Sequence, residues 1–188
     1  IAQTGHHKVK ADFHLLCIHQ SVEGATVGPV GYTFRQSPEV ISAHEIPGMF
    51  SAVLAGHIHL FQVLSRDLKA RKLQTPVFYP GSIERTSFAE KNEKKVYLIL
   101  EFAAEAVKRN GLKSWQFYEL RVRPMIQLDL HAFGMTNVDL RSWLVTRLAA
   151  LPEDGIVKIK VHDTVSHKAM DVLSAPALRA LAPATMNI

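Results

Sequence analysis

A single cysteine, Cys17, occurs in 188 residues, so no disulfide framework exists and a reducing, cytoplasmic setting is expected. No apolar run approaches the ~20 residues that a membrane-spanning helix requires, which excludes a transmembrane role. The opening IAQTGHHKVK lacks an initiating Met. It has neither the apolar h-region of a signal peptide nor a transit-peptide pattern, and the chain reads as a piece of something longer. Internal repeats and low-complexity tracts are also missing.

What is present suits a soluble globular protein: 47% hydrophobic and 21% charged residues, enough apolar material for a core. The net charge is +5 and the sequence pI about 9.4, a mild basic excess that favours an anionic partner without specifying one. Residues 1–122 hold 15 Lys and Arg against 11 Asp and Glu, whereas residues 123–188 hold 7 against 6. The excess therefore sits with the histidines, seven of ten of which precede residue 123.

The hydrophobic pattern predicts a mixed α/β core over residues 1–122 and a small α/β module over 123–188, with Arg123-Pro124 marking the change. Phe13 to Ile18 reads as a buried strand ending at His19. Glycines and a proline then open a long loop, GATVGPVGYTFR, of a length that is often functional. Ser51 to Ala55 reads as a second buried strand stopped by Gly56. A hairpin follows, LFQVLSRD and TPVFYPGS around a basic turn at Lys69, Arg71 and Lys72. The strands Lys95 to Phe102 and Trp115 to Val122 are then joined through a polar stretch near Lys108, Asn110 and Gly111. In the second module, IQLDLHA is a strand and Thr136 or Asn137 caps a helix with Leu140, Leu144, Leu148 and Leu151 on one face. IVKIKVH is a half-buried strand, and a further helix starts at Ser174-Ala-Pro.

The sharpest chemical feature is Gly56-His57-Ile58-His59 after a buried strand. In extended chain, side chains at i and i+2 share a face with Cα atoms roughly 6.5–7 Å apart. Two such imidazoles can converge on metals about 3.5–4 Å apart. Gly56 removes a side chain where the backbone must turn close to the ions. Neutral imidazole suits Mn, Fe, Zn or Co better than Ca or Mg. An isolated His-x-His is more often an exposed strand end, but His19 shifts that balance, because it too follows a buried strand and α/β sites gather where strands end. Cys17 reads as inert core and Ser82 as a turn residue. Tyr79 and Phe88 read as packing residues. His14 reads as structural or exposed, and His6, His7, His44, His131, His162 and His167 as surface residues without convergent partners.

Taken together, LLCIHQ, LAGHIH, VFYPGSIERTSFAE and KKVYLILEF resemble the calcineurin-like metallophosphoesterase superfamily. Within it, the YPGSIERTSFAE continuation and the module after residue 122 resemble the SbcD-type nuclease subunit of DNA double-strand-break repair and its capping domain. The resemblance covers roughly residues 12–188. It implies the C-terminal half of a four-layer αββα sandwich followed by a small α/β capping module. It makes His19 and His57 ligands of one metal and His59 a ligand of the other, with two divalent ions, Mn2+ foremost. The family's Asp-x-His, Gly-Asp-x-x-Asp and Gly-Asn-His motifs do not occur here; Asp12-Phe13-His14 has the first spelling in the wrong place. The isolated chain is therefore expected to be inactive.

The implied reaction is metal-assisted phosphodiester hydrolysis of DNA without a covalent nucleophile. The implied partners are double-stranded DNA ends, an SbcC-type coiled-coil ATPase and a second copy in a homodimer. Arg85, in the specific segment, and Arg35 are candidate phosphate contacts, while Lys158 and Lys160 share a strand face that meets either DNA or water. Two other readings stay open: a phosphoesterase acting on a small phosphoester or cyclic nucleotide, and a non-catalytic DNA-binding or assembly module.

Overall fold

A computed structural model describes Gly5 and residues 8–103 and 111–188, with the backbone alone at His167 and Lys168. The chain divides into two compact units, Ile1–Arg121 and Val122–Ile188. The first runs through β1 (Leu15–Ile18), then β2 (Ser21–Val22), β3 (Thr26–Val27), β4 (Tyr32–Thr33) and β5 (Val40–Ile41). It continues with β6 (Ala52–Ala55), β7 (Gln62–Arg66), β8 (Lys72–Tyr79), β9 (Val96–Phe102) and β10 (Leu112–Glu119). The expected joining residues Lys108 and Asn110 lie outside the described residues.

Four of these strands form one sheet in the order β1-β6-β8-β7. β1 and β8 both run parallel to β6, and β7 closes as the antiparallel hairpin partner of β8. Alternation assigns the faces. Leu16, Ile18, Val53, Ala55, Val77, Tyr79 and Leu64 join a core completed by Val22, Ala25, Ala43, Ile46 and Phe50. The opposite face meets the β9–β10 ribbon through rings: Phe78 lies 5.7 Å from Trp115 edge-on, and Phe61 lies 5.2 Å from Phe117. Among the described residues this unit holds 3-10 turns, such as Ala43–Glu45 and Phe88–Glu90, but no α-helix.

Two expectations need correction here. Phe13–Ile18 is not a buried strand: β1 is the sheet edge, so only Leu16 and Ile18 reach the core, while Leu15 and Cys17 face outward and are exposed. The run's uniform apolarity concealed the alternation. The loop GATVGPVGYTFR is likewise not structureless. β3 and β4 pair as a small hairpin, and the Gln62 side chain grips its first strand, accepting from the Thr26 N–H at 2.8 Å and donating to the Thr26 carbonyl at 2.9 Å.

The basic turn between β7 and β8 is organised by an acid. The Asp67 carboxylate, 3% exposed, accepts from the backbone N–H groups of Lys69 (2.9 Å) and Arg71 (2.8 Å) and from Arg71 Nε (2.7 Å). His44 Nε2 lies 2.5 Å away, so His44 is not the partnerless residue the sequence suggests. Burial would raise the Asp67 pKa, but these bonds outweigh it and hold the group well below the usual aspartate range. A depressed native pKa stabilises above the unfolded value and is lost as pH falls below it. Asp67→Asn is therefore expected to flatten the acid limb of a stability-against-pH curve below about pH 4, measured by chemical denaturation.

The second unit comprises β11 (Met125–His131), α1 (Asn137–Ala149), β12 (Ile156–His162), α2 (His167–Val172) and α3 (Ala175–Leu181). β11 and β12 pair in parallel with α1 as their crossover, as parallel strands require. Thr136 caps α1 in a reciprocal box with Asp139, and Leu140, Leu144 and Leu148 bury at helical spacing, as the pattern anticipates. The short helix α2 lacked a periodic signal and was not anticipated. His131 and His162 stand opposite one another in register and stack at 4.8 Å, with His162 Nε2 2.8 Å from Asp129 Oδ1. Both therefore have partners, contrary to the sequence reading.

Candidate metal centre

Because β1 and β6 are parallel neighbours with Ile18 opposite Ala55, the residues that follow each strand emerge side by side. The Gly56 N–H donates to the Ile18 carbonyl at 2.9 Å, which places His19 against the start of Gly56-His57. The rings of His19 and His57 lie 5.4 Å apart, edge to face. Gly56 makes room for this: a methyl group there would stand 2.7 Å from His19 Nδ1.

The segment after β6 is not the extended chain expected from the i, i+2 argument. His57 has φ +78°, the left-handed region that costs an L-residue roughly 1–2 kcal/mol. The bend nevertheless keeps His57 and His59 outward with Ile58 buried at 4% exposure, and both histidines line one cleft of about 290 Å3 together with Val27, Gly28, Ser87 and Glu90. His19 is not on the cleft's lining, and its ring meets that of His57. Backbone strain persists only where the surroundings or a function hold it. His57→Gly is expected to raise the unfolding free energy by about 1 kcal/mol, seen as a higher Tm, while removing the imidazole.

His59 is the most firmly held of the three. Its carbonyl accepts from the Ser82 N–H at 3.1 Å and from Lys95 Nζ at 3.2 Å. Its Nδ1 lies 3.1 Å from Glu90 Oε1 and 3.1 Å from Thr86 Oγ1. The Thr86 hydroxyl itself donates to Glu90 Oε1 at 2.7 Å. Lys95, 1% exposed, donates to Glu90 Oε2 at 2.7 Å and to Glu93 Oε2 at 2.9 Å. Burial would raise the Glu90 pKa, but the bonds from Lys95, Thr86 and His59 prevail and lower it to about 2.

Tyr79 secures the chain beside His19. Fully buried on β8, its hydroxyl donates to the Gln20 carbonyl and accepts from the Val22 N–H, each at 2.9 Å, which fixes the chain just beyond His19. Burial pushes its pKa up to about 12. Tyr79→Phe strands the buried Val22 N–H, and an unsatisfied buried group costs about 1–3 kcal/mol. A loss near the middle of that range, about 2 kcal/mol, is expected by urea denaturation.

Among the described residues, no three His, Cys, Asp or Glu side chains are grouped to hold one ion. A two-and-one division of His19, His57 and His59 between two ions asks for no such triplet. Their imidazole donors, with a carboxylate behind one of them, are the chemistry of a borderline transition metal.

The candidate phosphate contacts occupy different settings. Arg35 is exposed just after β4. Arg85 is half-buried and donates from Nε to the Glu93 carbonyl at 3.0 Å, so part of its guanidinium is committed to local structure. Ser82 is a turn residue whose hydroxyl donates to the Glu84 carbonyl at 2.7 Å. The sequence reading missed Thr86, Glu90 and Lys95. They lie in an irregular segment with no period to mark which side chains turn inward, and a charged residue preceding a strand resembles a solvated one. No family model matches the chain.

Proposed function

We propose that this chain forms part of a two-metal phosphodiesterase that hydrolyses DNA, with His19, His57 and His59 as metal ligands. The observation that carries the reading is the convergence of two strand ends: the His19 and His57 rings lie 5.4 Å apart, and His57 shares a cleft with His59. His19 and His57 would hold one divalent ion and His59 the other, Mn2+ foremost. The two packed sheets are read as the ββ centre of a four-layer αββα sandwich, and residues 123–188 as its capping module.

When bound, such a pair of ions polarises the phosphoryl group and lowers the pKa of water. The chain's own contribution is positional. His57 and His59 present imidazoles to the cleft, and Tyr79 and Gly56 fix the approach of His19. Arg35 and Arg85 would meet backbone phosphates, giving affinity without sequence preference and a steep dependence on salt. Duplex DNA ends, an SbcC-type ATPase and a second copy of the protein are the partners this reading implies, in the cytoplasm. Among the described residues no helix is long and apolar enough to cross a membrane.

The test pairs the protein, together with a segment bearing the Asp-x-His and Gly-Asp-x-x-Asp motifs, with its His57→Ala and His59→Ala variants. Mn2+ content and Mn2+-dependent hydrolysis of linear duplex DNA are measured beside a small phosphomonoester. Both variants are expected to lose metal and DNA cleavage together. Survival of both metal content and DNA cleavage in the variants would reduce this chain to a DNA-binding or assembly role, and cleavage of the small ester alone by the unsubstituted protein would redirect the substrate class.

A further inference from the structure

We propose that Glu90 is a positioning residue that presets the tautomer of His59. It would hold the proton on Nδ1 so that the Nε2 lone pair faces the cleft before any ion arrives. This rests on His59 being a metal ligand for its purpose, though not for its truth.

The geometry is directional. Glu90 Oε1 lies 3.1 Å from His59 Nδ1, and an ionised carboxylate can only accept, so Nδ1 must carry the hydrogen. The neighbouring Thr86 hydroxyl spends its own proton on Glu90 Oε1 at 2.7 Å, which leaves its oxygen, 3.1 Å from Nδ1, able only to accept from the ring. Two acceptors therefore face one nitrogen, and a neutral imidazole satisfies them in one tautomer alone.

Glu90 is kept ionised and immobile from its other side. Lys95 Nζ, 1% exposed, bonds to Oε2 at 2.7 Å, and the same ammonium bonds to the His59 carbonyl at 3.2 Å. Lys95 thus ties the carboxylate and the backbone of the histidine it orients into one rigid unit. A second carboxylate, Glu93 Oε2 at 2.9 Å, accepts another of the ammonium's three hydrogens. Carboxylate-backed imidazoles are better ligands, and losing the backing group lowers metal affinity about 10- to 100-fold.

The measurement is a long-range 1H–15N correlation of the His59 ring in the metal-free chain, at a pH where the ring is neutral, followed by titration with Mn2+ alone and observation of line broadening. The wild-type ring is expected to show a protonated Nδ1 and a bare Nε2. Glu90→Gln, whose amide oxygen still accepts, is expected to retain that pattern. Glu90→Leu combined with Lys95→Met removes the acceptor without stranding a buried charge, and is expected to move the proton to Nε2. It is also expected to raise the Mn2+ concentration needed for broadening about 10- to 100-fold. A wild-type ring protonated at Nε2 would overturn the proposal whether or not the variants fold, as would an unchanged ring in a folded double variant. A preset tautomer in a wild-type chain that Mn2+ never broadens would leave the positioning intact and sink the metal-centre reading instead.

Discussion

Gly81→Ala is expected to lower the unfolding free energy by about 2–5 kcal/mol, combining a left-handed backbone penalty with an overpacked contact. Gly81 has φ +82°, and a methyl group there would stand 2.5 Å from the His59 carbonyl oxygen and 3.0 Å from the Phe61 nitrogen. Both neighbours are backbone, so neither can swing aside. A loss of that size is a large share of the 5–15 kcal/mol that stabilises ordinary domains, and urea denaturation would show a sharply lowered midpoint. Gly56→Ala makes the instructive contrast. The nearest atoms to its added methyl belong to the ring of His19, at 2.7 Å, and a side chain can turn away. Near-normal stability with displaced His19 ring resonances is expected there. Equal destabilisation by the two substitutions would contradict this division between structural and site glycines.

Lys95→Met is expected to cost about 3–5 kcal/mol, because it leaves Glu90 as an uncompensated buried carboxylate. The Glu90 side chain is 11% exposed and Glu93 15%, so Glu93 can turn toward water more readily than Glu90. Most of the loss is expected to return when Glu90→Leu is added, since exchanging a buried ion pair for apolar groups of similar size is often neutral. The coupling between the two substitutions, read from a double-mutant cycle of unfolding free energies, should therefore exceed 1 kcal/mol. Additive losses would mean that the ammonium draws its worth from the His59 carbonyl or Glu93 instead.

Periodic elements were legible in the sequence, and irregular ones were not. Helix α1 announces itself through Thr136, Asp139 and leucines at helical spacing, and β12 through the alternation of IVKIKVH. The boundary between the two compact units falls between Arg121 and Val122, next to the change of character at Arg123-Pro124. The three histidines stood out because two apolar runs each deliver imidazole at their ends. What could not be read was the environment. β1 is uniformly apolar, yet an edge position leaves Cys17 exposed. The His57-Ile58-His59 alternation survives a positive φ that no sequence period reports. The Thr86–Glu90–Lys95 network depends on a 3-10 turn, Phe88–Glu90, whose inward side chains are set by packing rather than by spacing.

The parallel pairing of β1 with β6 makes the chain between them a detour with respect to the histidines. Lengthening the detour at its outermost point, Val30, which is 91% exposed, changes neither strand's exit, and loop closure penalises extra residues only logarithmically. Removing one residue from inside β1 is another matter: the strand's remainder slips by half a pleat repeat, Leu16 and Ile18 trade places with Leu15 and Cys17, and the imidazole beyond is carried off the face where its counterpart waits. Tolerance to insertion at Val30 and intolerance to a frame slip before Ile18 thus lie about a dozen residues apart in the chain.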